Sequence, residues 1–362
     1  MHNLPYQLRK SIGPLSLLLI LLAAGCAAPQ KEFEPPIFPA EPETPRYIYD
    51  RTLMSSADVE GLSSADKFKF FATGQSKKVK GLAKPYDVAV HQGRVYVSDT
   101  IHRGVVMFDI PGKRFKIFGT EGKGALFKPI GIDVAENGEV FVLDNGAHRV
   151  AVYSADGNYL RAFAGKADLD RPAGLAVSGS RVYVVDTGGV SSQNHRVQVY
   201  DANSGKRLAT IGKRGVEEGE FNLPLMIDAD AKGNTYIMDS GNFRVQRFDE
   251  NDKFHSTFGE VGIRFGQFAR PKGLAVDGEG NIYVTDASFS NFQIFNNSGE
   301  LLMFIGGRGE VNEPAKFGLL AGIDVDEDGR IYVVDQFYGK VEIFRPYAMK
   351  KEEGFAGIKP EK

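Results

Sequence analysis

The chain of 362 residues has one cysteine, Cys26, and no tryptophan. A lone thiol excludes an intrachain disulfide, a Cys-rich zinc site, an iron–sulfur cluster and covalently attached haem. Neither sign of charge dominates: 44 Lys and Arg face 46 Asp and Glu, a formal net charge of −2. With no basic surplus to neutralise phosphates, the balance argues against a nucleic-acid binder. The apolar stretch from Leu15 to Leu22 is too short for a comfortable membrane span. A phosphate-cradling Gly loop, a Gly-x-Ser-x-Gly elbow and a His-Glu-x-x-His helix are all missing. What is present is 42% apolar residues, 11% aromatics and 42 glycines. That composition excludes a wholly disordered chain and suggests many turns between aromatic-rich strands. The length suits one large all-β domain or two ordinary ones.

Residues 1–25 read as an export signal: Arg9 and Lys10, a short apolar run, then Ala23-Ala24-Gly25 before Cys26. This segment resembles a bacterial lipoprotein signal. The resemblance implies cleavage before Cys26 and a diacylglycerol on its sulfur, so that the membrane becomes a partner. Ala27 is not Asp, which under the same resemblance favours the outer membrane of the cell envelope. The alternative is an ordinary signal peptide with an incidental cysteine. Residues 26–45 carry Pro35, Pro36, Pro39, Pro42 and Pro45 among Glu residues. They read as a stiff, extended tether of about 3 Å per residue.

The rest of the chain repeats itself. One phrase recurs six times: YVSDT ending at Asp99, FVLDN at Asp144, YVVDT at Asp186, YIMDS at Asp239, YVTDA at Asp286 and YVVDQ at Asp335. Upstream of each lies a short β-branched run: KPYDVAV, KPIGIDV, RPAGLAV, LPLMIDA, RPKGLAV and LLAGIDV. Turn pairs such as Asn137-Gly138 and Asp328-Gly329 separate the two, a hairpin signal. A third strand (RVAVY, RVQVY, RVQRF) and a fourth (FKIFG, FHSTFG, LLMFIG) follow. Each unit is therefore four antiparallel strands. No such unit buries both faces alone, and radial stacking of six gives an all-β, six-bladed β-propeller.

The pattern Pro-x-Gly-Ile/Leu-x-Val, then Ile-Tyr-Val-x-Asp, then Arg-Val-x-x-Phe resembles the NHL repeat over about residues 80–346. The sixth unit departs from it. Leu320-Ala321-Gly322 replaces the Pro-x-Gly phrase, and Phe344 is followed by Arg345-Pro346 instead of a fourth strand. An N-terminal segment is expected to close the ring: residues 46–53 (RYIYDRTL), or 67–74 (KFKFFATG), with 46–53 preferred and 64–73 read as a short helix or loop. The propeller then spans 46–347 and is expected to be monomeric. Residues 348–362 read as a charged tail.

The recurrent Asp and the following Arg (Asp144 with Arg149, Asp186 with Arg196, Asp239 with Arg244) are read as structural pairs that orient hairpins. Function is sought where the repeats differ. In NHL-type amidating lyases, as the resemblance implies, inner-strand histidines hold zinc. The corresponding residues here are Tyr86, Ile130, Ala173, Leu225, Lys272 and Ala321, none of them His, which counts against a zinc lyase. Acidic calcium sites of lactonase-like propellers find no clear match either. Further along the same strands, Asp133, Asp228 and Asp324 alternate with Ala89, Ala176 and Ala275. They either line the channel as a divalent-cation site or bond backbone donors of a neighbouring blade. His148 and His195 share one loop column. Phe243, Phe289, Phe337 and Tyr338 occupy the equivalent loops of the later blades. Lys84, Lys128, Arg171 and Arg270 precede inner strands and, with Lys272, are expected to make one face locally positive.

The expected function is a lipid-anchored envelope propeller that binds another envelope protein or a ligand. Its loop face would use Tyr86, His148, His195, Phe243, Lys272, Phe289 and Tyr338, with no cofactor beyond a possible channel cation. The alternative is a metal-assisted hydrolase or lyase at the channel mouth, using Asp133, Asp228 and Asp324 or the His148/His195 pair.

Overall fold

Each blade forms because its middle strands are apolar enough to be buried on both faces, its outer strand alternates in burial, and the strands are joined by turns that permissive residues complete. In the computed structural model, which describes residues 33–61 and 79–357, the innermost strand of blade 2 (Pro129–Val134) pairs antiparallel with Val140–Asp144. That strand pairs with Arg149–Tyr153, and Tyr159–Phe163 completes the blade. Gly138 takes φ 81° in the first turn, a conformation open to glycine at little cost. Blades 1, 3, 4 and 5 repeat the pattern from inner strands at Pro85–His91, Pro172–Ser178, Met226–Ala229 and Pro271–Val276.

Blade 6 holds Leu320–Val325, Ile331–Asp335 and Lys340–Pro346, and its fourth strand is Tyr47–Leu53. Tyr47 faces Pro346 and Leu53 faces Val341, so the N-terminal segment closes the ring in antiparallel register. The competing segment 67–74, and the helix or loop expected at 64–73, lie outside the described residues, as do Cys26 and the signal segment. Two further pieces belong to this blade. Ile37–Phe38 adds a fifth strand against Tyr47–Leu53, although its prolines read as tether. An edge strand tolerates flanking Pro because its outer side needs no ladder donors. The segment from 348 to 356 also returns to the blade: Ala356 is fully buried and its carbonyl accepts from Arg51 at 2.7 Å.

The core is divided among six blade interfaces. One cluster, for example, joins Tyr96, Val105 and Phe118 of blade 1 to Ile132, Val142 and Tyr153 of blade 2. Another joins Val88, Val97 and Phe108 of blade 1 to Tyr332, Val341 and Leu53 of blade 6, sealing the ring. Burial of each such side chain contributes about 1.5–3 kcal/mol. Near the axis the blades approach so closely that the glycine of the Pro-x-Gly phrase is required. A Cβ on Gly174 would lie 2.8 Å from the Leu225 carbonyl oxygen and from Met226 Cα.

A buried ionic knot ties the closure. Arg330, fully buried, approaches Asp50 Oδ2 at 3.8 Å, and Arg345 reaches Asp50 Oδ1 at 3.8 Å. Arg51 bonds the same carboxylate at 2.9 Å. Arg330 also donates to Asp328 at 3.3 Å and to the Glu353 carbonyl of the C-terminal segment.

Candidate functional site at the loop face

The recurrent Asp builds this face. Asp144 accepts the backbone N–H of Lys128 at 2.9 Å, Asp186 that of Arg171 at 2.8 Å, and Asp286 that of Arg270 at 2.9 Å. Asp99 holds Lys84 at 2.9 Å in the same way. The paired arginines complete the clamp: Arg244 donates to Asp239 at 2.9 Å, Arg196 to Asp186 at 3.2 Å, and Arg149 Nε lies 3.6 Å from Asp144. In blade 6 the Arg place is taken by Lys340, buried between Glu342 and the Lys316 carbonyl. The repeated Asp is therefore structural. In every blade but the fourth it fixes the backbone of the residue that precedes the inner strand; in blade 4 Asp239 holds Asn222 and His195 accepts the Leu223 N–H.

In four blades the residue before the inner strand is a cation, and Lys128, Arg171 and Arg270 of blades 2, 3 and 5 stand at the mouth of the central channel. Two cavities open there and share Tyr86 and Leu225 as a wall. The larger, about 310 Å³, is bordered by Lys128 and Arg171 over Ile130, Ala173, Val190 and Leu223. The smaller, about 60 Å³, is bordered by Arg270 and Lys272 over Met226 and Leu320. Neither lining contains a carboxylate, a histidine or a cysteine. Most arginines of the molecule are paired with an acid. By contrast, the side chains of Lys128, Arg171, Arg270 and Lys272 make no hydrogen bond or ion pair among the described residues. Burial, with Arg270 beside it, lowers the Lys272 pKa from its ordinary value. Burial raises that of Tyr86, Asp87 adding to the rise and Arg171 opposing it. The Ser240 hydroxyl, in the larger lining, is buried without a partner among the described residues. Val190 stands 74% exposed in the long loop between Asp186 and Arg196 of blade 3, which Asp170 ties down through Ser192 at 2.6 Å. Ser240 ends the YIMDS phrase at a position where the residue varies from blade to blade, and Val190 lies between repeat positions, so nothing in the repeats sets either apart.

The channel carboxylates are turned elsewhere. Asp133 accepts from its own neighbour Val134 at 2.7 Å and from Val177 of blade 3 at 2.6 Å. Asp228 accepts from Ala229 and from Val276 of blade 5, both at 2.7 Å. Asp324 accepts from Val325 and from Val90 of blade 1, both at 2.7 Å. Each therefore stitches its blade to the next through backbone donors. Among the described residues no group of three or more His, Cys, Asp or Glu is placed to hold a metal ion. A fourth carboxylate, Asp87, joins them around a channel cavity of about 20 Å³, room for one water. It accepts from Ile132 of blade 2 at 3.2 Å. Desolvation raises the pKa of Asp87 to about 8 and of Asp133 to about 7, and lifts Asp228 and Asp324 well above the usual carboxylate range.

The two histidines bond backbone groups and not each other. Both ring nitrogens of the buried His195 are used, one with the Gly189 carbonyl and one accepting from the Leu223 N–H, each at 3.2 Å. His148 Nδ1 bonds the Leu169 carbonyl at 3.1 Å. His148 and Phe243 occupy the residue before the third strand, where φ is 54° and 55°. Arg103, Ser290 and Gly339 hold the same left-handed position in other blades, so this column marks a turn. Phe243 packs on the core between blades 4 and 5. Phe289 is half-buried, and the Tyr338 hydroxyl donates to the Gly309 carbonyl at 3.1 Å. Of the rim aromatics only Phe337 stands fully out, 72% exposed.

Comparison with known proteins agrees with this architecture. The NHL repeat model matches residues 128–153 and 268–295. RING finger protein nhl-1 of Caenorhabditis elegans is 41% identical over 81 residues, 21% of this chain and only 8% of that protein's length. Among solved structures, a Bacteroides thetaiotaomicron protein of unknown function superposes with a TM-score of 0.59 at 16% identity, covering 82% of this chain and 76% of that one. A gluconolactonase from Xanthomonas campestris gives 0.53 at 14% identity, covering 73% and 86%. A streptogramin B lyase gives 0.53 at 13% identity, covering 73% and 94%. At these identities the likeness concerns the fold alone.

Proposed function

We propose that this six-bladed propeller with NHL repeats is a binding scaffold whose loop-face mouth holds a negatively charged group of its ligand or partner. The observation that carries this reading is the set of four unpaired cations over an apolar floor, with no acid in the lining. A cationic concavity focuses anions, and apolar walls strengthen the attraction by excluding water. The mouth lining offers no carboxylate, imidazole or thiol for general acid–base or nucleophilic work, which favours binding over hydrolysis. Attachment to the bacterial envelope through a lipidated Cys26 belongs to the same proposal. It would place the mouth before other envelope components.

The test is direct binding. A panel of acidic peptides and small carboxylates is titrated, at several salt concentrations, against wild type and a variant with Lys128, Arg171, Arg270 and Lys272 all changed to Gln. Saturable, salt-sensitive binding that weakens at least about tenfold in the variant supports the reading. Binding that survives the four changes, or no binding by any anion, overturns it. The membrane part is checked separately: labelled fatty acid should be incorporated into wild type and not into Cys26→Ser.

A further inference from the structure

We propose that the ligand is a small two-ended anion: an apolar body with a negative group at each end, lying across the mouth from Arg270 and Lys272 to Lys128 and Arg171. This rests on the anionic-ligand reading above and narrows it. The two cavities share Tyr86 and Leu225, so one ligand can pass from one to the other over this wall. Each cavity has its own pair of cations without an acid. A single anionic group would satisfy one pair and leave the other pair's repulsion standing. The sizes differ in a useful way. About 60 Å³ on the Arg270/Lys272 side admits a head group and little more. About 310 Å³ on the other side has room for a body as well, against Ile130, Val190 and Leu223. Together the volumes fall in the range of small-molecule sites. The larger side also borders Asn145, Thr187 and Ser240, which add polar side chains beside its apolar walls. An α,ω-dicarboxylate, or an acyl or aryl carboxylate bearing a phosphate, has this chemistry.

The probes are adipate, azelate and terephthalate, with monomethyl azelate as a singly charged match of nearly the same shape. Calorimetric titration should find the best dicarboxylate binding at least about tenfold more tightly than its half-ester, with a salt slope close to two ion pairs. Lys272→Gln should reduce that preference to less than about twofold, and Arg171→Gln should weaken the binding of the diacid and the half-ester alike. Melting curves of the two variants, both altered in side chains that bond nothing else, control for folding. Equal binding of diacid and half-ester, or an undiminished preference in Lys272→Gln, overturns the two-ended ligand and leaves the anionic mouth intact. Binding of an acetyl-Glu-Leu-Glu amide peptide with none of the dicarboxylates overturns the small-molecule class in favour of a protein segment. Failure of every anion removes this inference and the proposed function together.

Discussion

Asp87 offers the sharpest physical test of the axial architecture. Only 4% of the residue is exposed, and it occupies the place that glycine takes in the phrase of most other blades. Its Oδ1 lies where a Cβ on Gly322 of blade 6 would be, 2.2 Å away, while its Oδ2 accepts from Ile132 of blade 2. Desolvation outweighs the backbone hydrogen bonds from Ile132 and Val88, and the nearby Asp133 adds to the rise, so the folded-state pKa goes from 3.8 to about 8. The unfolded chain releases this proton near pH 4 and the folded chain keeps it. Stability from this group is thus complete below pH 4 and is lost as pH rises through about 8. About four pKa units correspond to at most on the order of 5 kcal/mol, with a slope of up to about 1.4 kcal/mol per pH unit across the window. Asp133, at about 7, and the other two channel acids act in the same direction. Acids whose pKa values are lowered, such as Glu139 beside Arg161, act only at lower pH. Urea unfolding of wild type should therefore show stability falling between pH 5 and 8. Asp87→Asn, which keeps an acceptor for Ile132 and carries no proton, should flatten that fall by about one proton's worth. An identical pH slope in variant and wild type, or a wild-type stability that climbs with pH in this window, would refute the desolvation argument.

Other consequences are simpler to state. Asp50→Asn should destabilise by about 3 kcal/mol or more, read by urea midpoint, because it removes the buried carboxylate that Arg51, Arg330 and Arg345 share. Deleting residues 348–362 should cost about 2 kcal/mol in the same assay, since Arg51 and Arg330 lose the Ala356 and Glu353 carbonyls. Asp228→Ala should cost about 2 kcal/mol by stranding the Ala229 and Val276 donors. Added calcium or magnesium should leave the wild-type melting temperature unchanged, and a clear rise would restore the channel carboxylates as a cation site.

The ring was legible because six copies of one phrase impose six equivalent turns, and the closing strand because RYIYDRTL alternates and blade 6 lacks a partner. Ile37–Phe38 was hidden among prolines, which an edge strand accepts and a central one does not. The docking of the C-terminal segment was invisible for a different reason: its contacts use the carbonyls of Glu353 and Ala356, which any residue supplies. The channel was readable as a choice: the alternation of Ala and Asp was plain, and of its two readings the bonds to backbone N–H groups of the next blade are the ones that Asp133, Asp228 and Asp324 make. His148 and Phe243 shared a column because a left-handed turn recurs there, and His195 is held in the core by two backbone groups. The cations were readable from their place before each inner strand. What a repeat comparison could not supply was their convergence with Tyr86, Ser240 and Val190 around two adjoining cavities.

The division of labour between constant and variable residues explains how such a mouth arises. The repeated Asp grips a backbone N–H, so in every blade but the fourth it presents the residue before the inner strand whatever its side chain. In blades 2, 3 and 5 that residue is Lys128, Arg171 or Arg270. In blade 6 it is Leu319, which borders the smaller cavity; in blade 4 the repeated Asp holds Asn222, and Leu223, whose N–H goes to His195, borders the larger. The clamp thus places both charge and apolar wall, and the chain chooses between them blade by blade. The opposite end of the blades is built from Asp- and Glu-bearing turns. There Asp277, Glu279, Asp326, Glu327 and Asp328 surround a cavity of about 560 Å³. The small net charge therefore coexists with concavities of opposite sign, one at the mouth and one between blades 5 and 6. Attraction of an anion to the Tyr86 mouth weakens within a Debye length as salt is raised.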